Sequence, residues 1–247
     1  MPIRATVLIA IVLTACGDVP GDYQKLRGAE ERLRKDPHDS QTLDFILKKL
    51  HDSRSITRNN AAAFLRLLAG DPKVRAVIAP RAVPALIEVA RRHGDVESEG
   101  IAALGEFREL GAPAIPTLIT RVQENDYRSG DAAEALGKIG LAAKSSIPHL
   151  RVLLHRSKDR RIVVQTAIAI RTLVPDDRES IDTLIGFLHS PDREVRSDGI
   201  FALSELGPLA DSAVPALEAY DIDDLRGYAQ STAASIKEES KEAVWKK

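Results

Sequence analysis

Side chains able to do chemistry are few in this chain, and their spacing argues against most reactions. Six histidines, His38, His51, His93, His149, His155 and His189, are scattered over 247 residues. A metal site on a helix wants two of them one turn apart, and no H-x-x-x-H spacing occurs. His51, His155 and His189 fall near the ends of apolar helical stretches, where a cationic ring meets the negative end of the helix dipole. No Gly-rich loop runs into Lys-Ser or Lys-Thr to cradle a phosphate, and no G-x-S-x-G presents a nucleophile. Acidic residues are numerous, but they stand in short connectors where helix capping accounts for them. Cys16 is the one thiol. As a nucleophile it would need a base in a folded pocket, and its place directly behind an apolar leader gives it none. These residues predict a protein that is not an enzyme and uses neither metal nor cofactor.

The leader explains the cysteine. Arg4 and the amino terminus form a short positive region, Ala5 to Leu13 form an apolar run, and the small Ala15 precedes Cys16. This is the three-part layout of a secretory signal. The run is too short to cross a bilayer, which takes about 20 apolar residues. Leu13-Thr14-Ala15-Cys16 resembles the lipobox of bacterial lipoproteins. That resemblance implies cleavage before Cys16, a diacylglycerol on its thiol and an acylated new amino terminus. The expected organisation is a signal peptide over 1–15, a lipidated tether over 16–22 and a folded part over 23–247. The expected location is the bacterial cell envelope, lipid-anchored on the periplasmic or cell-surface side of a membrane.

Those functional positions sit on, or ahead of, a repetitive helical chain. With 35 Lys+Arg against 36 Asp+Glu, no basic excess points to nucleic acid. Aromatics are 4% of residues, too few for base-stacking platforms. Abundant Ala and Leu favour helices. Four segments align: AALGEFRELGAPAIPTLI (102–119), EALGKIGLAAKSSIPHLR (134–151), IAIRTLVPDDRESIDTLI (168–185) and FALSELGPLADSAVPALE (201–218). Leu104, Leu136, Ile170 and Leu203 lead them. Ile115, Ile147, Ile181 and Val214 follow 11 residues later, then Pro116, Pro148, Asp182 and Pro215. The closing leucines, Leu118, Leu150, Leu184 and Leu217, step by 32, 34 and 33 residues. A fixed period of this size is the signature of a solenoid. An earlier copy ends RAVPALI (81–87), and a longer connector separates it from NNAAAFLRLLAG (59–70).

Each unit reads as two helices. The first is Ala/Leu-rich and ends near a Gly able to adopt a left-handed cap, as at Gly140 and Gly207. The second opens with Pro in its first turn. Asp95, Asp126, Asp159 and Asp192 begin the connectors between units, where Asp suits an N-cap. The strings AEALGKIG and FALSELG, and the A-x-x-A-[IV]-P-x-L strings, resemble HEAT repeats of the short type found in phycobilisome lyases. The resemblance covers about residues 55 to 220. It implies an all-α solenoid of stacked two-helix units. TLDFILKKLHDS (42–53) reads as a half repeat, and helices around 22–35 and at the C-terminus read as caps. Arg108 and Val174 depart from the pattern where Gly140 and Gly207 stand, and Asp182 departs where the others have Pro.

The resemblance also implies a concave face lined by the second helices. Those helices carry Arg91, Arg92, Arg121, Arg151, His155 and Arg156. Arg121 stands where neighbouring units have Val89, Leu153 and Phe187, so it is the departure from an apolar series. Together the six form a candidate protein-binding face for an acidic partner. The functional expectation is a lipid-anchored, non-enzymatic scaffold for protein–protein interaction. The alternatives are a lyase- or isomerase-like enzyme, by family analogy, and a structural envelope protein.

Overall fold

A computed structural model describes residues 20–92 and 97–245. Cys16 and the leader lie outside the described residues, as do His93 and Asp95. Among the described residues the chain forms helices and turns, with no strand. Helix α1 (Pro20–Lys35) and α2 (Ser40–Lys49) precede the array. Five first helices follow: α3 (Ser55–Ala69), α5 (Glu97–Glu106), α7 (Ser129–Ile139), α9 (Arg160–Leu173) and α11 (Arg193–Leu206). Their second helices are α4 (Pro72–Arg91), α6 (Ile115–Glu124), α8 (Ile147–Arg156), α10 (Arg178–Leu188) and α12 (Val214–Glu218). Helix α13 (Arg226–Trp245) closes the row. Helix α1 begins at Pro20, so the last residues assigned to the tether are already helical.

The junctions inside units follow their residue types. In three units a 3-10 segment joins the two helices: Arg108–Ala114, Gly140–Ser146 and Gly207–Ala213. Each starts at positive φ, +82° at Gly140 and +50° at Gly207. Arg108 takes φ +54° at the same place without the freedom of Gly, so the backbone shape survives the substitution at the expense of strain. Val174 does not take it and sits at φ −132°, because a β-branched residue is excluded from the left-handed region. That unit solves its start differently. Asp177 accepts from Ser180 N, and α10 begins at Arg178, ahead of Ile181 and the missing Pro. The connector DPKVRAVIAPR is not a loop. It forms the first half of α4, capped by Asp71 and continuous through Pro80 and Pro84. Asp159 and Asp192 cap α9 and α11 as the sequence predicts.

One continuous core runs the length of the array. The aligned positions Leu104, Leu136, Ile170 and Leu203 are fully buried, and so are Leu118, Leu150, Leu184 and Leu217. Burying side chains of this size contributes about 1.5–3 kcal/mol each, and no unit could bury them without its neighbours.

The two helix rows are spaced differently. First helices meet backbone to backbone through small residues. A Cβ placed on Gly105 would lie 2.8 Å from Ala135 Cα, and one on Gly137 would lie 3.1 Å from Ala169 Cα. Long side chains bridge neighbouring second helices. Arg91 Nε reaches Thr117 Oγ1 at 3.3 Å, and Gln123 Nε2 meets His149 Nδ1 at 3.1 Å. The first helices therefore approach one another closely at these glycines.

Candidate functional site: a groove across the first helices

The six cations singled out from the sequence do not make an open basic stripe. Arg121 is 3% exposed. Its Nε donates to Ala90 O at 2.7 Å and its Nη1 pairs with Glu124 Oε2 at 2.7 Å. It therefore stitches α6 to the end of α4. Arg151 Nη2 pairs with Asp177 at 2.5 Å, and its Nη1 pairs with Glu179. His155 Nε2 lies 2.7 Å from the same Glu179. Arg92 Nη2 lies 2.8 Å from His51 Nδ1, and Arg91 is bonded to Thr117. Arg156 is exposed beside a small depression formed with Val122, His149 and Val152. Most of this charge is neutralised within the row or held against main-chain carbonyls, so its visible work is to join units.

Asp177 shows the electrostatics of these joints. It is 5% exposed. Burial pushes its carboxyl up, but the Ser180 backbone N–H and the Arg151 guanidinium outweigh burial and hold it below the usual carboxylate range.

The larger concavity lies on the other row. A groove of about 680 Å³ crosses α7, α9 and α11. Ligand sites commonly occupy roughly 300–1,000 Å³. Its floor is apolar: Val164, Ile168 and Ala169 of α9, with Phe201 of α11. Phe201 is 52% exposed although it precedes the buried pair Ala202-Leu203. Its charged lining is mostly paired across neighbouring helices. Lys138 Nζ lies 2.7 Å from Glu106 and 2.8 Å from Glu134. Gln165 Nε2 donates to Glu134 at 3.1 Å, and Arg160 Nε lies 2.9 Å from Asp198. Burial lowers the pKa of Lys138, yet its two carboxylate partners raise it overall. Burial raises that of Glu134, and Lys138 and Gln165 lower it overall. Both groups are thus locked in their charged forms. Among the described residues, no three His, Cys, Asp or Glu side chains are grouped to hold a metal ion. The groove offers an apolar surface framed by fixed charges, suited to holding a side chain or a segment.

The sequence carried a signal for this groove that the repeat alignment passed over. Ile168 and Phe201 are large apolar residues off the core stripe of their helices. Arg108, which lines one end, is the residue standing in a Gly position.

No protein-family model and no curated protein sequence matches this chain. Solved structures do. One chain in the structure of the complex of CpcE and CpcF of phycocyanin lyase from Nostoc sp. PCC7120 superposes with a TM-score of 0.57 at 18% identity, over 89% of this chain and 91% of that one. An engineered protein superposes with a TM-score of 0.51 at 21% identity, over 79% of this chain and 96% of that one. An archaeal HEAT-like repeats protein from Thermococcus onnurineus NA1 gives 0.48 at 13% identity, over 91% of this chain and 100% of that one. Likeness at such identities extends to the fold, and the first two structures together with the helix order above give one architecture: an all-α solenoid of stacked two-helix repeats.

Proposed function

We propose that this chain is a non-enzymatic docking scaffold of the bacterial cell envelope, held to a membrane by a lipid on Cys16, which binds a partner protein in the groove across α7, α9 and α11. The observation that carries the docking role is the apolar floor of that groove, which includes half-exposed Phe201 of α11. An exposed apolar surface rimmed by charge is what protein interfaces use. Paired charges such as Lys138 with Glu106 and Glu134 frame the surface without converging on a reacting atom, which favours binding over a lyase- or isomerase-like reaction. The anchor rests on the Leu13–Cys16 string behind an apolar run. Several acyl chains, at about 0.8 kcal/mol per buried CH₂, make such attachment durable.

Two measurements test the two halves. A photoreactive side chain at position 168, compared with one at exposed Val152 on the second row, is expected to capture a discrete envelope protein from the first site only, and Phe201→Ser is expected to abolish the adduct. Equal capture from both sites refutes the groove. Metabolic labelling with a fatty-acid probe is expected to mark the wild-type chain and not Cys16→Ser. Equal labelling of both refutes the anchor.

A further inference from the structure

Arg108 is the odd residue of the groove. The backbone there needs positive φ, and the two equivalent junctions supply Gly140 and Gly207. An L-residue in this conformation is disfavoured, and strain at a position lining a cavity points toward use of the side chain. The Arg108 side chain is 46% exposed. Its ion pair is a long one, 3.8 Å to Glu106 Oε2, on a carboxylate whose other oxygen Lys138 Nζ holds at 2.7 Å. Arg161, on the same groove, donates to Tyr127 O at 3.1 Å, and among the described residues no carboxylate pairs with it. The acids of the lining are distributed otherwise. Glu134 is held by Lys138 and Asp198 by Arg160. Glu205 has no ion partner among the described residues and stands on α11, the far end of the groove from Arg108.

The groove therefore has a direction: the half-exposed, loosely paired Arg108 guanidinium at the α5 end, an apolar surface over Ile168 and Phe201, and the Glu205 carboxylate on α11. We infer that it selects a protein segment that seats large apolar side chains on Ile168 and Phe201 and presents a carboxylate to Arg108, away from Glu205. This rests on the docking role proposed above and adds the chemistry and polarity of the occupant. A carboxylate meets the guanidinium in a charge-assisted contact, for which Arg is suited by its planar fork of donors. Such pairs set orientation and partner choice, while the apolar anchors supply most of the affinity. Gly at this position would relax the backbone and leave the apolar floor untouched, so the side chain and the conformation can be separated experimentally.

The test is selection of random twelve-residue peptides on phage against the full chain, followed by anisotropy titration of the selected peptides. Enriched sequences are expected to combine Leu, Ile or Phe with an Asp or Glu toward one end. Phe201→Ser is expected to weaken them at least about tenfold. Arg108→Gly is expected to weaken them about tenfold, the size of one charge-assisted contact, with a melting temperature no lower than wild type and a shallower salt dependence. Selection against Arg108→Glu is expected to enrich Lys or Arg instead. Peptides that need Phe201 but bind Arg108→Gly as well as wild type overturn the carboxylate preference and leave the docking role standing. Peptides indifferent to Phe201→Ser, or no enrichment over an unrelated target, overturn the docking role as well. A Phe201-dependent dimer of the chain seen by sedimentation puts a second copy in the groove and also overturns the inference.

Discussion

Adding one methyl group at Gly105 tests the tight spacing of the first helices. Gly105 is buried near the end of α5. A Cβ there would meet Ala135 Cα of α7 at 2.8 Å and Ala135 Cβ at 3.2 Å. Favourable carbon contacts begin at about 3.5 Å, so α5 and α7 would have to part by roughly 0.7 Å along the closest direction. The obstacle is main chain, which cannot swing aside as a long side chain can. Overpacking of this kind costs about 1–3 kcal/mol. Replacing Gly by Ala in a helix returns at most about 1 kcal/mol. The expected net effect of Gly105→Ala is a loss of up to about 2 kcal/mol. Gly186 is the control. It is exposed within α10, and a Cβ on it meets nothing within 4 Å. Gly186→Ala is expected to stabilise by about 0.5–1 kcal/mol. Urea unfolding followed by far-UV circular dichroism compares the two directly, with the slope checked because repeat arrays can unfold in stages. If both substitutions stabilise, the backbone contact between α5 and α7 is absent, and the close packing of the first helices fails with it.

Two further outcomes follow from the buried charges. Arg121→Ala removes the donor to Ala90 O and the partner of Glu124. The expected loss is about 2–4 kcal/mol, against almost none for exposed Arg156→Ala; similar values by chemical denaturation would refute the structural role of Arg121. Asp177 has its folded pKa held below the ordinary value, so its contribution is complete above about pH 4 and is lost as pH falls through the folded value. Asp177→Asn is expected to flatten the acid limb of the stability–pH curve, and an unchanged limb would show that Asp177 is not the group responsible.

Much of the architecture was legible in the sequence because a repeat writes its own rules locally. The 32-to-34-residue step, the Pro at the start of α6, α8 and α12, the Gly at positive φ and the Asp caps each act within a few residues of where they stand. A departure could be read as a departure, but its outcome needed the fold. Arg108 keeps the left-handed junction under strain, whereas Val174 abandons it and shifts the start of α10. Arg121 looked like surface charge because its helix alone does not reveal that Ala90 O lies 2.7 Å from its Nε. The close approach of the first helices was likewise not legible. It depends on Gly105 and Gly137 of one unit meeting Ala135 and Ala169 of the next. A one-dimensional pattern specifies which face of each helix is buried. Only packing between units decides that Ile168, Phe201 and Arg108 share a groove while the six second-helix cations do not form one open stripe.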